Sequence, residues 1–303
     1  MSSRFFDESF LRRLERLALL YRRAALSQMQ GERRSAQRGQ SVEFSDFRPY
    51  VPGDDFRRID WNAYARLDRL FLKLFVEEQD LTVHILIDAS RSMDWGQPNK
   101  LAYAARLGGA LGYVALTNLD RVTVTALGFS GPAARRHLPP LRGKRSAVSL
   151  FEFLQMLTGP EASTTHTKAP GAPAAALGAY GAATRQPGAL LLLSDLMDDG
   201  WRPALNRLAG RGFEVSLLHI LSPDELRPDL DGDFRLIDFE TDDGVELSAN
   251  FDTLERYKQG LADWQSSWKS FCAARGMHYL PIETLQPLEE LLFARLPQQG
   301  VLR

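Results

Sequence analysis

The chain has 303 residues, 44% of them apolar and 25% charged, proportions ordinary for a globular protein and sufficient to bury one large core or two modest ones. Its 37 lysines and arginines nearly cancel its 38 aspartates and glutamates, so the net charge of −1 gives no whole-chain argument for nucleic-acid binding. A single cysteine, Cys272, excludes an intrachain disulfide and any zinc site needing two cysteines of this chain, and fits a reducing compartment.

Phe6, Phe10, Leu14, Leu17, Tyr21 and Ala25 recur at helical spacing, with Asp7 or Ser9 placed to cap the start. This predicts an amphipathic helix whose stripe packs on the rest of the protein. Acidic residues interrupt it, so it lacks the continuous apolar core of a signal peptide. Apolar runs such as Ala189–Leu193 are too short to span a bilayer. The expectation is a cytoplasmic protein with no membrane span and no nucleic-acid partner. The arginines between Arg12 and Arg38 read as a solvated helix face, and Gly31–Gln40 reads as a linker.

Residues 41–80 mix charge with aromatics. Val42 and Phe44 alternate with polar residues and predict a short strand; Pro49, Pro52 and Gly53 end it, and a second strand is expected around Leu70–Val76. Between them, Asp54, Asp55, Arg57, Arg58, Asp60 and Trp61 mark a candidate partner surface. Trp61 and Tyr64 among the charges argue for partial burial.

From Leu81 onward strands alternate with helices. Strands are expected at Leu81–Ile87, Arg121–Phe129, Ala189–Leu193, Phe213–Leu218 and Met277–Leu280. Helices are expected at Lys100–Leu116, Ser146–Leu157, Ala174–Ala183, Trp201–Leu208, Asn250–Arg275 and Pro287–Leu296. Asp242-Asp243-Gly244 is a hairpin turn signal, which puts a hairpin near residues 228–248. The alternation predicts an α/β fold with a mostly parallel sheet and helices on both faces. The expected divisions are 1–40, 41–80 and 81–303.

The chemistry concentrates where two apolar strands end. Thr82–Ile87 runs into Asp88, Ser90 and Ser92, and Ala189–Leu193 runs into Ser194 and Asp195. Open α/β sheets bind ligands at that edge. If both strands are central and parallel, Asp88, Ser90, Ser92 and Asp195 form an oxygen-rich cleft suited to Mg²⁺ or Mn²⁺, with room for an outside ligand such as a partner's carboxylate. Asp198, Asp199 and Gly200 read first as loop and helix cap. His84 reads as a core histidine, and Cys272 as a buried inert thiol.

Asp88-x-Ser90-x-Ser92, with the later Leu-Leu-Leu-Ser-Asp195 strand, resembles the metal-ion-dependent adhesion site of von Willebrand factor A (vWA) domains. Phe44-Ser-Asp-Phe-Arg-Pro-Tyr50 and Pro52-Gly-Asp-Asp-Phe-Arg-Arg-Ile-Asp-Trp61, running into Arg66 and Leu70–Glu78, resemble the bacterial domain-of-unknown-function family numbered fifty-eight. The resemblance extends from about Gly39 to the C-terminus. It implies a vWA-like (Rossmann-like) fold, a divalent cation at the strand ends, and a MoxR-type AAA+ ATPase or its client as partner, the chain acting as a metal-dependent adaptor or co-chaperone. One position departs from the vWA pattern: Gly171 stands where the resemblance implies a metal-binding threonine, and Thr164, Thr165 and Thr167, just upstream, are the alternative hydroxyls. A metal-independent scaffold and a metal-dependent hydrolase are the rival classes. No phosphate-cradling Gly-x-x-x-x-Gly-Lys loop, Gly-x-Ser-x-Gly elbow or Ser-His-Asp order supports an enzyme.

Overall fold

The computed structural model describes residues 5–20, 42–51, 54, 56, 59–77, 81–129, 136–159, 172–198, 200–229, 232–237 and 244–302. The chain divides into two compact units, one of residues 1–22 with 81–303 and one of residues 23–80.

In the smaller unit, β1 (Val42–Pro49) pairs antiparallel with β2 (Phe71–Glu77). Asp60 caps a two-turn helix, Trp61–Leu67, by accepting from the Asn62 and Ala63 amides. Asp54 accepts from the Val51 amide and pairs with Arg48 at 2.7 Å. Two predictions need correction here. No helix was expected between the two strands, and Trp61 is 61% exposed rather than partly buried. Asp55, Arg57 and Arg58 lie outside the described residues.

The larger unit opens with helix Glu8–Leu14, capped by Asp7 through the Phe10 amide. The predicted stripe ran on to Ala25, but the helix ends at Leu14. Leu19 instead bridges Leu302, and the Leu20 amide donates to the Val301 carbonyl at 2.9 Å, so tertiary pairing with the C-terminus overrides the helical period. As expected, the stripe is buried within this unit: Phe6, Phe10 and Leu14 join one core cluster.

The sheet has six strands: β3 (Thr82–Asp88), β4 (Arg121–Leu127), β5 (His137–Arg142), β6 (Ala189–Ser194), β7 (Glu214–Leu221) and β10 (His278–Glu283). A separate antiparallel hairpin is formed by β8 (Gly232–Ile237) and β9 (Gly244–Ala249), where the turn signal placed it. The sheet order is β10-β7-β6-β3-β4-β5, parallel throughout except for β5. Every residue of β3 and β6 is buried, as continuous apolar runs require of strands covered on both faces. Alternation sends Ile85 and Ile87 into one core and Leu86 into the other. The first core is shared by helices Lys100–Thr117 and Ala147–Leu157 and the second by Ala172–Ala183, Trp201–Gly210 and Phe251–Ala273, which makes three layers. The edge strand β5 was not predicted. Pro139 and Pro140 argue against a strand, yet an antiparallel edge tolerates residues that donate no ladder hydrogen bond.

Two core features allow direct tests. A Cβ at Gly188, just before β6, would fall 2.1 Å from the Thr82 carbonyl oxygen, a backbone atom that cannot rotate aside. Gly260, in the middle of Phe251–Ala273, faces open space. Gly188→Ala is expected to destabilise by about 1–3 kcal/mol, and Gly260→Ala to stabilise by about 0.5–1 kcal/mol. Denaturant midpoints that move in the same direction for both would contradict this account.

His84 is a core histidine, its Nδ1 2.7 Å from the Tyr180 hydroxyl. Burial pushes its pKa down to about 4, partly opposed by the Gln186 backbone. A depressed histidine stabilises fully above its unfolded pKa, near 6.5. That contribution is lost as pH falls from there toward 4, because only the unfolded chain takes the proton. Stability in that window should therefore fall by up to about 1.4 kcal/mol per pH unit per such histidine. His84→Phe is expected to flatten the measured slope of unfolding free energy against pH by close to one proton.

Candidate functional site

The parallel register pairs Ile87 with Leu193, so Asp88 and Ser194–Asp195 leave the sheet side by side at its carboxyl-terminal edge. Asp88 is buried. Its Oδ1 accepts from the Ser90 amide at 3.0 Å, and its Oδ2 accepts from the Ser194 hydroxyl at 2.6 Å. The Ser90 and Ser92 hydroxyls lie 3.0 Å apart. Ser194 Oγ also accepts from the Leu196 amide at 2.9 Å, and Leu196 has a φ of 58°, the left-handed region. A buried leucine held there stores on the order of 1–3 kcal/mol. The strain is localised in the turn that delivers Asp195.

Burial and the neighbouring Asp195 carboxylate push Asp88 up to about 7, against the lowering effect of its hydrogen bonds from Ser194 and Ser90. The edge thus carries a carboxylate poised near neutrality rather than a firmly ionised one.

Lys100, the first residue of its helix, completes the edge and was not among the predicted site residues. It is 1% exposed, and its ammonium donates to Asp195 Oδ2 at 2.8 Å and to Glu225 Oε1 at 2.5 Å. Burial pulls this lysine down, but the two carboxylates outweigh it, so its pKa lies above the ordinary lysine value. Glu225 is held by a capping box: its Oε2 accepts from the Ser222 amide at 2.7 Å while its own amide donates to Ser222 Oγ at 3.3 Å. The Tyr257 hydroxyl donates to the Glu225 carbonyl at 2.7 Å. Below this layer, His219 is sealed between the Asp195 carbonyl, 3.0 Å from Nε2, and the Tyr279 hydroxyl, 2.7 Å from Nδ1. A local signal for Lys100 existed, because a cation at a helix N-terminus opposes the macrodipole and demands an anionic partner. Glu225 is 125 residues away in sequence, and nothing local pairs it with Lys100.

The structure therefore brings Asp88, Ser90, Ser92 and Asp195 to one edge. Thr164, Thr165, Thr167 and Gly171 lie outside the described residues, as do His166 and Asp199. Asp198 serves as a loop and helix-entry residue, its Oδ1 accepting from the Gly200 amide. Cys272 is buried, and burial pushes its thiol up to about 11, so it is inert.

The sequence profile of a family described as "Protein of unknown function DUF58" matches residues 46–266. The chain belongs to that family. Uncharacterized proteins of Mycobacterium tuberculosis and Mycobacterium bovis are 27% identical over 211 residues, which is 67% of this chain and 62% of each relative. The match thus spans under two thirds of those relatives. Among solved structures, a conserved hypothetical protein, BatB, from Bacteroides thetaiotaomicron is 18% identical at a TM-score of 0.42, covering 72% of this chain and 96% of that one. An aerotolerance-related membrane protein from Bacteroides fragilis, carrying multiple mutations to serine, is 19% identical at a TM-score of 0.43, covering 73% and 98%. In this DUF58 chain, no helix among the described residues is long and apolar enough to cross a membrane.

The donor chemistry at the DUF58 sheet edge suits a divalent cation on one side only. Two neighbouring ligands of octahedral Mg²⁺, each at about 2.1 Å, lie about 3.0 Å apart, which is the separation of the Ser90 and Ser92 hydroxyls. Asp88 adds a carboxylate beside them. Asp195 is already neutralised by Lys100 and differs from the other three in that respect.

Ser194 is the residue that ties the two strand ends together. Ser194→Ala is expected to cost about 1–3 kcal/mol and to raise the Asp88 pKa above its present value, because the lost bond favours the ionised form. Carboxyl NMR titration of Asp88 checks the second effect; an unchanged or lower value would contradict it.

Proposed function

We propose that this DUF58 protein is a non-enzymatic protein-interaction module that grips an acidic side chain of its partner through Mg²⁺ or Mn²⁺ at the carboxyl-terminal sheet edge. Asp88, Ser90 and Ser92 would hold the ion, with Asp195 flanking it. The single observation that carries this reading is the convergence of the β3 and β6 ends, which sets Asp88, with the paired Ser90 and Ser92 hydroxyls that follow it, beside Ser194 and Asp195. The ion would supply a positive charge for a carboxylate that the bare edge repels. Following the resemblance to vWA-like proteins, the partner is a MoxR-type AAA+ ATPase or its client, with the ATPase supplying the nucleotide chemistry.

A second reading is favoured by one observation. The Lys100 ammonium already balances Asp195 and Glu225, so the edge is also compatible with a metal-independent scaffold. Calorimetric titration with Mg²⁺ and Mn²⁺ separates the two readings. The metal-dependent reading expects saturable binding that Asp88→Ala abolishes, together with partner capture from lysate that a chelator and Asp88→Ala both prevent. Capture that survives the chelator, with no heat of binding, would favour the scaffold.

A further inference from the structure

We infer that Lys100 is an internal cation that takes the place of a divalent ion at the inner half of the sheet edge, so that Asp195 is withheld from metal and the ion affinity of the site is set by a lysine. The inference concerns the site of the preceding reading but does not require the natural protein to bind an ion.

Its basis is the position and partners of the ammonium. Lys100 is buried, and its Nζ lies 2.8 Å from Asp195 Oδ2 and 2.5 Å from Glu225 Oε1. Without it, the buried Asp195 carboxylate and the part-buried Glu225 carboxylate would lie close together uncompensated, with Asp88 beside Asp195. Like charges so placed need a cation, and either an ammonium or a metal can be that cation. The ammonium is fixed at the start of a helix capped by Asn99, which accepts from the Ala102 amide at 2.9 Å, and the Trp95 ring sits 5.9 Å from Nζ. Glu225 is fixed by its capping box. The helix start that carries Lys100 and the Glu225 side chain are thus each held by hydrogen bonds of their own. A divalent ion entering the natural protein therefore meets Asp88, Ser90 and Ser92, while a fixed positive charge holds the Asp195 carboxylate and repels the ion. Lys100 is in this sense an affinity-setting residue rather than a ligand.

The test uses the full chain and Mn²⁺ as probe, followed by calorimetry and by thermal melting in chelator and in excess Mn²⁺. Lys100→Met, which keeps the stem and removes the charge, should melt well below the natural protein in chelator and recover in Mn²⁺. It should also bind Mn²⁺ at least about tenfold more tightly than the natural protein. Lys100→Met combined with Asp195→Asn should lose that recovery. A Lys100→Met protein that Mn²⁺ does not stabilise, whether folded or unfolded in chelator, overturns the inference. If the natural protein binds no Mn²⁺ but Lys100→Met does, the metal-dependent reading above fails and this inference stands. If the natural protein binds Mn²⁺ and Lys100→Met binds no more tightly, the reverse holds.

Discussion

One buried ammonium organises the functional edge of this protein. A lysine at the first position of a helix sits in an unfavourable dipole field, and sealing it from water adds a desolvation cost. Both costs are offset because Asp195 and Glu225 present carboxylates to it from two other chain segments. The same contact removes the repulsion those carboxylates would otherwise exert on each other. It joins the end of β6, the start of Lys100–Thr117 and the short helix Pro223–Leu226, and Tyr257 extends the connection to the long helix Phe251–Ala273 through the Glu225 carbonyl. Losing one partner of such an arrangement costs more than the contact gains, since it leaves an uncompensated buried charge, typically worth about 3–5 kcal/mol.

The rest of the edge follows from that charge balance. Asp88 is desolvated and lies beside Asp195, and three hydrogen-bonding contributions from Ser194 and Ser90 do not restore an ordinary carboxylate pKa. Ser194 bridges the two strand ends by donating to Asp88 and accepting from Leu196, whose left-handed backbone is the local cost of turning the chain there. Strain in the turn after β6 and a perturbed carboxylate at the end of β3 meet through Ser194, the kind of place where functional sites tend to store them.

Much of this was legible in the sequence, and the remainder failed for identifiable reasons. The central strands were readable because β3 and β6 are buried on both faces and so lack polar interruptions, and the switch to Asp88, Ser90 and Ser92 marked where β3 stops. The adjacency of Asp88 and Asp195 followed from expecting a parallel sheet. Strand β5 was hidden by Pro139 and Pro140, which an antiparallel edge accommodates. The N-terminal helix was overextended because its apolar period continues past Leu14, whereas pairing of Leu19 and Leu20 with residues 301 and 302 decides the backbone. Trp61 was expected to be half-buried because aromatics among charges usually are, yet it lies exposed on the first turn of a helix that Asp60 caps. Lys100 was missed although a cation at a helix start signals an anionic partner, and Glu225 was missed because a pairing across 125 residues leaves no local pattern.

The edge is divided by access as well as by charge. Its inner half, Asp195 with Lys100, is sealed from solvent, while Arg91 and Ser92 are only partly covered and Trp95 and Met197 are exposed. A partner approaching this edge meets the partly covered Ser92 hydroxyl and the exposed Trp95 and Met197 before the buried Asp88 and Asp195 carboxylates. Because the inner half carries its own cation, the fold there needs no ion to relieve repulsion, and stability is separated from ligand occupancy. An ion held by Asp88, Ser90 and Ser92 would then be free to serve recognition alone: its loss would cost the partner contact without releasing a buried pair of like charges. In a site lacking the lysine, the same loss would strike folding and binding together. On the metal-dependent reading proposed above, Lys100 would decide whether a chelator acts on this protein as an inhibitor of binding or as a denaturant.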